Sequence, residues 1–106
     1  MGDRITFLQM TKVQLQAHIR RLAQDSGRVF FTDHARLRMR ERGVNDLQAL
    51  ECLRAGVLQR PPRRFASGEL RVRMDHFGSA RNVSVVVSLD EQDPDVLVVT
   101  VMTRTR

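Results

Sequence analysis

The period of the apolar residues changes once along this chain, at Pro61-Pro62. Before that pair, apolar side chains recur every three or four residues, the spacing of one helical face. After it they alternate, the spacing of a half-buried strand. Two adjacent prolines cannot continue a helix, because each lacks an N–H and its ring clashes with the preceding turn. Helices first and strands after predict an α+β fold, with two or three N-terminal helices packed on one face of a sheet.

Residues 11–25 read as the first helix. Thr11 with Gln14 resembles a capping box, Leu15, Ile19, Leu22 and Ala23 form an apolar stripe, and Gly27 can supply a left-handed stop. Val29-Phe30-Phe31 is too short to classify. Thr32 or Asp33 caps a second helix, 33–42, which Gly43 ends. Asn45 or Asp46 caps a third, 46–55, with Leu47, Leu50, Leu53 and Val57 as its buried side and Gly56 as its stop. Strands follow at about 64–66, 69–77, 82–90 and 96–103, with an acidic turn over Glu91–Asp95. Short connections make them a four-stranded antiparallel meander.

The 106 residues fit a single domain, with 1–27 as a helical extension and 28–106 as the core. Trp and Tyr are absent, so the core is expected to be Val, Leu, Ile and Met. The five Phe are read as mostly core-like, which leaves no aromatic platform for stacked bases.

The net charge of +6 favours an acidic partner, either nucleic acid or protein. All of the 18 basic residues except Lys12 are arginine. Arginine matches two phosphate oxygens at once, although a GC-rich coding sequence would give the same bias. Cys52, the only cysteine, forms no intrachain disulfide and reads as inert packing. No apolar run approaches the ~18 residues of a membrane span, and no signal peptide is visible, so a cytoplasmic location is expected. Formal matches to a myristoylation signal (MGDRIT) and a glycosylation site (Asn82-Val83-Ser84) are discarded as accidental.

One stretch carries candidate chemistry: FTDHARLRMRERG, residues 31–43. His34, Arg38 and Arg42 fall four residues apart and form one slowly drifting helical stripe beside Ala35 and Met39. At the border of core and solvent, partly desolvated arginines hold anions more strongly, and a histidine can act as acid or base. The plainer alternative is a salt-bridged surface helix in which Glu41 neutralises Arg38. Residue pattern alone favours that alternative.

The segment FTDHARLRMRERGV, followed by NDLQALECLRAG, resembles the bacterial DUF4258 family, a domain of unknown function. Phe31, Thr32, His34, Ala35, Arg38, Met39, Glu41, Arg42, Gly43 and Val44 carry the resemblance. Val99-Thr100-Val101 matches the family's closing aliphatic-Thr-aliphatic segment, so the resemblance spans 29–104. The family in turn is similar to RelE-like and barnase-like toxin ribonucleases. That implies helices on a four-stranded antiparallel sheet, with RNA across a basic groove. By this resemblance His34, Arg38 and Arg42 are the candidate catalytic residues. Arg71, Arg73 and Thr100 are candidate nucleic-acid contacts. Family members often carry Tyr on the first long strand. Phe65 could occupy a similar place here, but it donates no proton.

Metal-free RNA cleavage needs a base, an acid and cations for the transition state. His34 could supply a proton carrier and the arginines the charge. His76 shares the parity of Leu70, Val72 and Met74 and reads as a core-edge histidine; His18 has no visible partner. No metal-ligand spacing or Gly-rich phosphate loop occurs, so no metal or cofactor is expected. The favoured function is a toxin-like ribonuclease; the alternative is a non-catalytic module that binds nucleic acid or an acidic, antitoxin-like protein. No membrane partner is expected, and oligomeric state stays undetermined.

Overall fold

The computed structural model describes residues 10–78 and 82–104, with side chains as far as Thr100 on the last strand. The turn expected over 77–81 therefore lies partly outside the described residues, as does the start of the N-terminal extension. The elements, in chain order, are α1 (Lys12–Ala23), β1 (Val29–Phe31), α2 (Asp33–Arg42), α3 (Asp46–Ala55), β2 (Arg63–Arg64), β3 (Glu69–Phe77), β4 (Asn82–Asp90) and β5 (Asp93–Arg104). The fold class is α+β, with three helices and a mixed sheet in the order β1-β5-β4-β3-β2.

The sheet has five strands rather than four, and it is not wholly antiparallel. Val29, Phe30 and Phe31 pair in parallel with Leu97, Val98 and Val99. Three residues give no period to read, and their partner lies almost seventy residues later. β1 runs straight into α2 through Thr32, whose N–H donates to Val99 O at 3.1 Å. That bond fixes the start of α2 against β5.

Each helix begins where a side chain can satisfy its unpaired N–H groups. Thr11 and Gln14 form a full capping box on α1, and Asn45 and Gln48 form one on α3. Thr32 caps α2, accepting from Ala35 N–H, and Gly43 ends it at φ 66°. Gly27 is not the stop of α1; that helix ends at Ala23, and a 3-10 turn over Ser26–Arg28 intervenes before β1. β2 is shorter than expected and β5 longer, beginning at Asp93 inside the stretch read as an acidic turn.

The core is a single aliphatic cluster between the helices and one face of the sheet. Leu70, Val72 and Met74 of β3 meet Val83, Val85, Val87 and Leu89 of β4 and Leu97 and Val99 of β5. α1 belongs to this core through Leu15, Ile19, Leu22 and Ala23.

α3 keeps part of its expected face, since Leu53 is buried and Leu50 packs against the core. It buries Ala49, Cys52 and Leu53, whereas Leu47 is 59% exposed. Small residues at 49 and 52 let the helix lie close on β3 and β4, and Cys52 Sγ sits 3.3 Å from Met74 O and 3.4 Å from Val83 O. Gly56 answers the same closeness. A Cβ there would fall 2.2 Å from Cys52 O and 2.9 Å from Asp75 O. Val57 then exchanges two backbone hydrogen bonds with Asp75 at the edge of β3.

Candidate functional site

α2 buries only Ala35 and Met39 of its ten residues. His34, Arg38 and Arg42 lie on its exposed surface, farther into solvent than a core-border stripe would be. Arg38 Nη1 pairs with Glu41 Oε1 at 3.0 Å. Such a surface pair contributes about 0.2–1 kcal/mol, so it yields readily to a phosphate. Among the described residues, His34 makes no side-chain hydrogen bond. On the other flank of the helix, Arg36 stands 4.5 Å over the Phe31 ring and pairs with Asp46 at 2.7 Å. α2 therefore offers four arginines and a histidine to solvent.

Arg71 and Arg73 project from the sheet face opposite the helices, as strand alternation requires. Both are held there. Arg71 Nε pairs with Glu69 at 3.1 Å, and Ser88 Oγ donates to the same carboxylate. The Ser88 and Arg71 hydrogen bonds hold the Glu69 carboxyl below the usual carboxylate range. Arg73 Nε donates to Asp75 Oδ1 at 2.7 Å, Ser84 Oγ donates to the same oxygen at 2.6 Å, and Asp75 and Ser84 are buried. Thr100 lies at a register break between β4 and β5, and its hydroxyl donates to Val86 O at 3.2 Å.

The candidate residues thus form two groups. His34, Arg38 and Arg42 lie on α2 in the helical layer, and Arg71, Arg73 and Thr100 lie on strands of the sheet. His76 on β3 is partly buried at the core edge.

His18 has the partners that the sequence hid. It is 8% exposed, with Nε2 at 3.1 Å from Pro94 O and Nδ1 at 2.8 Å from Arg21 Nη2. A carbonyl only accepts and a guanidinium only donates, so this histidine is neutral with its proton on Nε2. Burial, more than any other influence, lowers its pKa. Burial likewise pushes the Cys52 thiol up to about 12, which excludes a thiolate nucleophile at neutral pH.

The reading of Phe as mostly core-like holds only in part: Phe31 packs against the core, and Phe7 lies outside the described residues. Phe30 and Phe77 are 53% and 54% exposed, and Phe31 and Phe65 are partly buried. Arg63 and Arg71 both stand over the Phe65 ring, at 5.6 and 4.8 Å to its centre. The signal was available in RPPRRF, where Phe65 follows a run of arginine and proline.

No group of three or more His, Cys, Asp or Glu side chains that could hold a metal is present among the described residues. No described helix is long and apolar enough to cross a membrane.

This is a small basic α+β protein in which the most polar of the described helices and the sheet face opposite the helices both carry arginine. The DUF4258 profile, a domain of unknown function, matches residues 31–103, and the chain belongs to that family. No curated protein and no solved structure matches it.

Proposed function

We propose that this protein binds RNA through α2. The observation that carries the reading is the helix's burial: only Ala35 and Met39 are covered, and Arg36, Arg38, Arg40, Arg42 and His34 face outward. A helix with so little invested in the core serves the surface it presents. Four guanidiniums on about three turns suit phosphate oxygens, and the net charge of +6 supports the same partner class.

A second reading adds catalysis. An exposed His34 one turn from Arg38 could move a proton while the guanidinium stabilises charge on phosphorus. This would make the protein a metal-independent, toxin-like ribonuclease with a RelE-like or barnase-like ancestry, held in check by an acidic antitoxin-like protein on the same helix. Binding is favoured over cleavage because His34 has no second histidine beside it to share the proton work: His18 is buried on α1 and His76 is partly buried on β3.

The test is metal-free incubation with labelled structured and single-stranded RNA, beside His34→Ala, Arg38→Ala and Arg42→Ala variants. Salt-dependent binding weakened by the arginine changes supports the α2 reading; removing one cation from a phosphate should reduce the salt slope by about 0.7–0.9. Cleavage lost with His34→Ala establishes the second reading. No RNA binding at low salt, or binding indifferent to all three changes, sinks the α2 proposal.

A further inference from the structure

A second basic cluster lies at the far edge of the sheet from β1, on β2 and the loop before it. Arg60, Arg63 and Arg64 belong to it, and Arg60 and Arg63 flank Pro61-Pro62. The two prolines lock two φ angles, so the loop has little freedom to lose on binding. Arg63 lies directly opposite Arg71 in the β2–β3 register. Like charges opposed on neighbouring strands are destabilising. Glu69 pairs with Arg71, whereas Arg63 stands over the Phe65 ring. An anion placed between Arg63 and Arg71 would relieve that repulsion.

Phe65 is what distinguishes this cluster from a solvated charge run. The hairpin turn fixes its backbone: Phe65 N–H donates to Glu69 O, Gly68 N–H donates to Phe65 O at 3.0 Å, and Gly68 takes φ 93°. The guanidinium carbons of Arg63 and Arg71 stand 5.6 and 4.8 Å from the centre of its ring. An aromatic ring beside exposed arginines matches the combination that holds single-stranded nucleic acid, with a base against the ring and phosphates on the cations.

We propose that Arg60, Arg63, Phe65 and Arg71 form a single-stranded RNA docking site, separate from α2. It rests on the reading that the protein binds RNA and assigns a second, stacking contact to it. An acidic protein would use the cations and ignore the ring, so Phe65 separates the two partner classes.

The experiment measures binding of a single-stranded RNA carrying 2-aminopurine, whose emission reports stacking, as a function of salt. Wild type is compared with Phe65→Leu, Arg63→Ala, the double variant Arg60→Ala/Arg63→Ala, and the α2 variant Arg38→Ala. Thermal melting of each checks that it is folded. Phe65→Leu is expected to weaken binding roughly tenfold, the size of one base stack, to abolish the 2-aminopurine change and to leave the salt slope intact. The double variant is expected to lower the slope by about 1.4, two single-strand phosphate contacts. If wild-type RNA binding falls with Arg38→Ala but is untouched by Phe65→Leu and Arg63→Ala, the β2 site is wrong and the α2 reading stands. If the β2 variants lose binding and Arg38→Ala does not, the β2 site stands and the α2 reading fails. If wild type binds no RNA, both fail.

Discussion

Arg20 and Arg54 each close the other's helix. Arg20, on α1, donates through Nη2 to Gly56 O at 2.6 Å, just past the end of α3. Arg54, on α3, donates through Nε to Ala23 O at 2.6 Å, the last residue of α1. The last carbonyls of a helix lack partners within it and carry its partial negative charge. Two of the chain's arginines are thereby committed to architecture, which removes them from any account of nucleic-acid binding.

Arg20→Ala and Arg54→Ala should each destabilise the fold by about 1.5–3 kcal/mol, the range for a hydrogen bond to a charged group. Chemical denaturation measures it. Arg54→Lys should recover only part of the loss, because an ammonium lacks the planar fork. Unchanged stability in both alanine variants would show that the reciprocal caps contribute nothing.

Stability should fall as pH drops below about 6.5, the unperturbed histidine range. The folded state lowers the pKa of His18, so the unfolded chain binds the proton more readily. The stabilisation is complete above the unfolded pKa and is lost as pH falls through the folded one. His18→Gln should flatten this part of the curve, measured as melting temperature from pH 5 to 8.

Cys52 should resist thiol reagents at pH 8 in the native protein and react in denaturant. Its thiol is fully buried and held up to about 12. Rapid native labelling would mean that α3 opens from β3 and β4. Cys52→Leu should destabilise by about 1–3 kcal/mol through overpacking against the strands.

Arg73→Ala should cost more than a surface substitution, about 1–3 kcal/mol, because it strips a charged partner from buried Asp75. The double variant Arg73→Ala/Asp75→Asn should recover part of the loss, since an amide carries no charge to leave unpaired. Urea denaturation of the two proteins decides it. By contrast, His34→Ala and Arg38→Ala should stay within about 0.5 kcal/mol of wild type, which makes their effect on RNA interpretable.

The helices and long strands were legible because local rules set them. α2, α3, β3 and β4 begin and end close to where caps, Gly43, Gly56 and alternation put them. The candidate residues on α2 were legible as a stripe for the same reason: four residues are close to one helical turn. Their exposure was not, since spacing says which side chains share a face and not how deeply the helix sinks.

What the sequence by itself determined is therefore local: the helical and alternating periods, the caps, the aliphatic core and the positive charge. What only the tertiary structure decided depends on residues far apart in the chain. Val29–Phe31 became a parallel fifth strand because Leu97–Val99 offered it an edge. α3 buried Ala49 and Cys52 because β3 and β4 came close enough to demand small side chains. His18 found Pro94, Arg20 found Gly56, and Phe65 gathered Arg63 and Arg71. Burial, pairing and charge compensation are properties of neighbours in space, and a one-dimensional period carries no record of who those neighbours are.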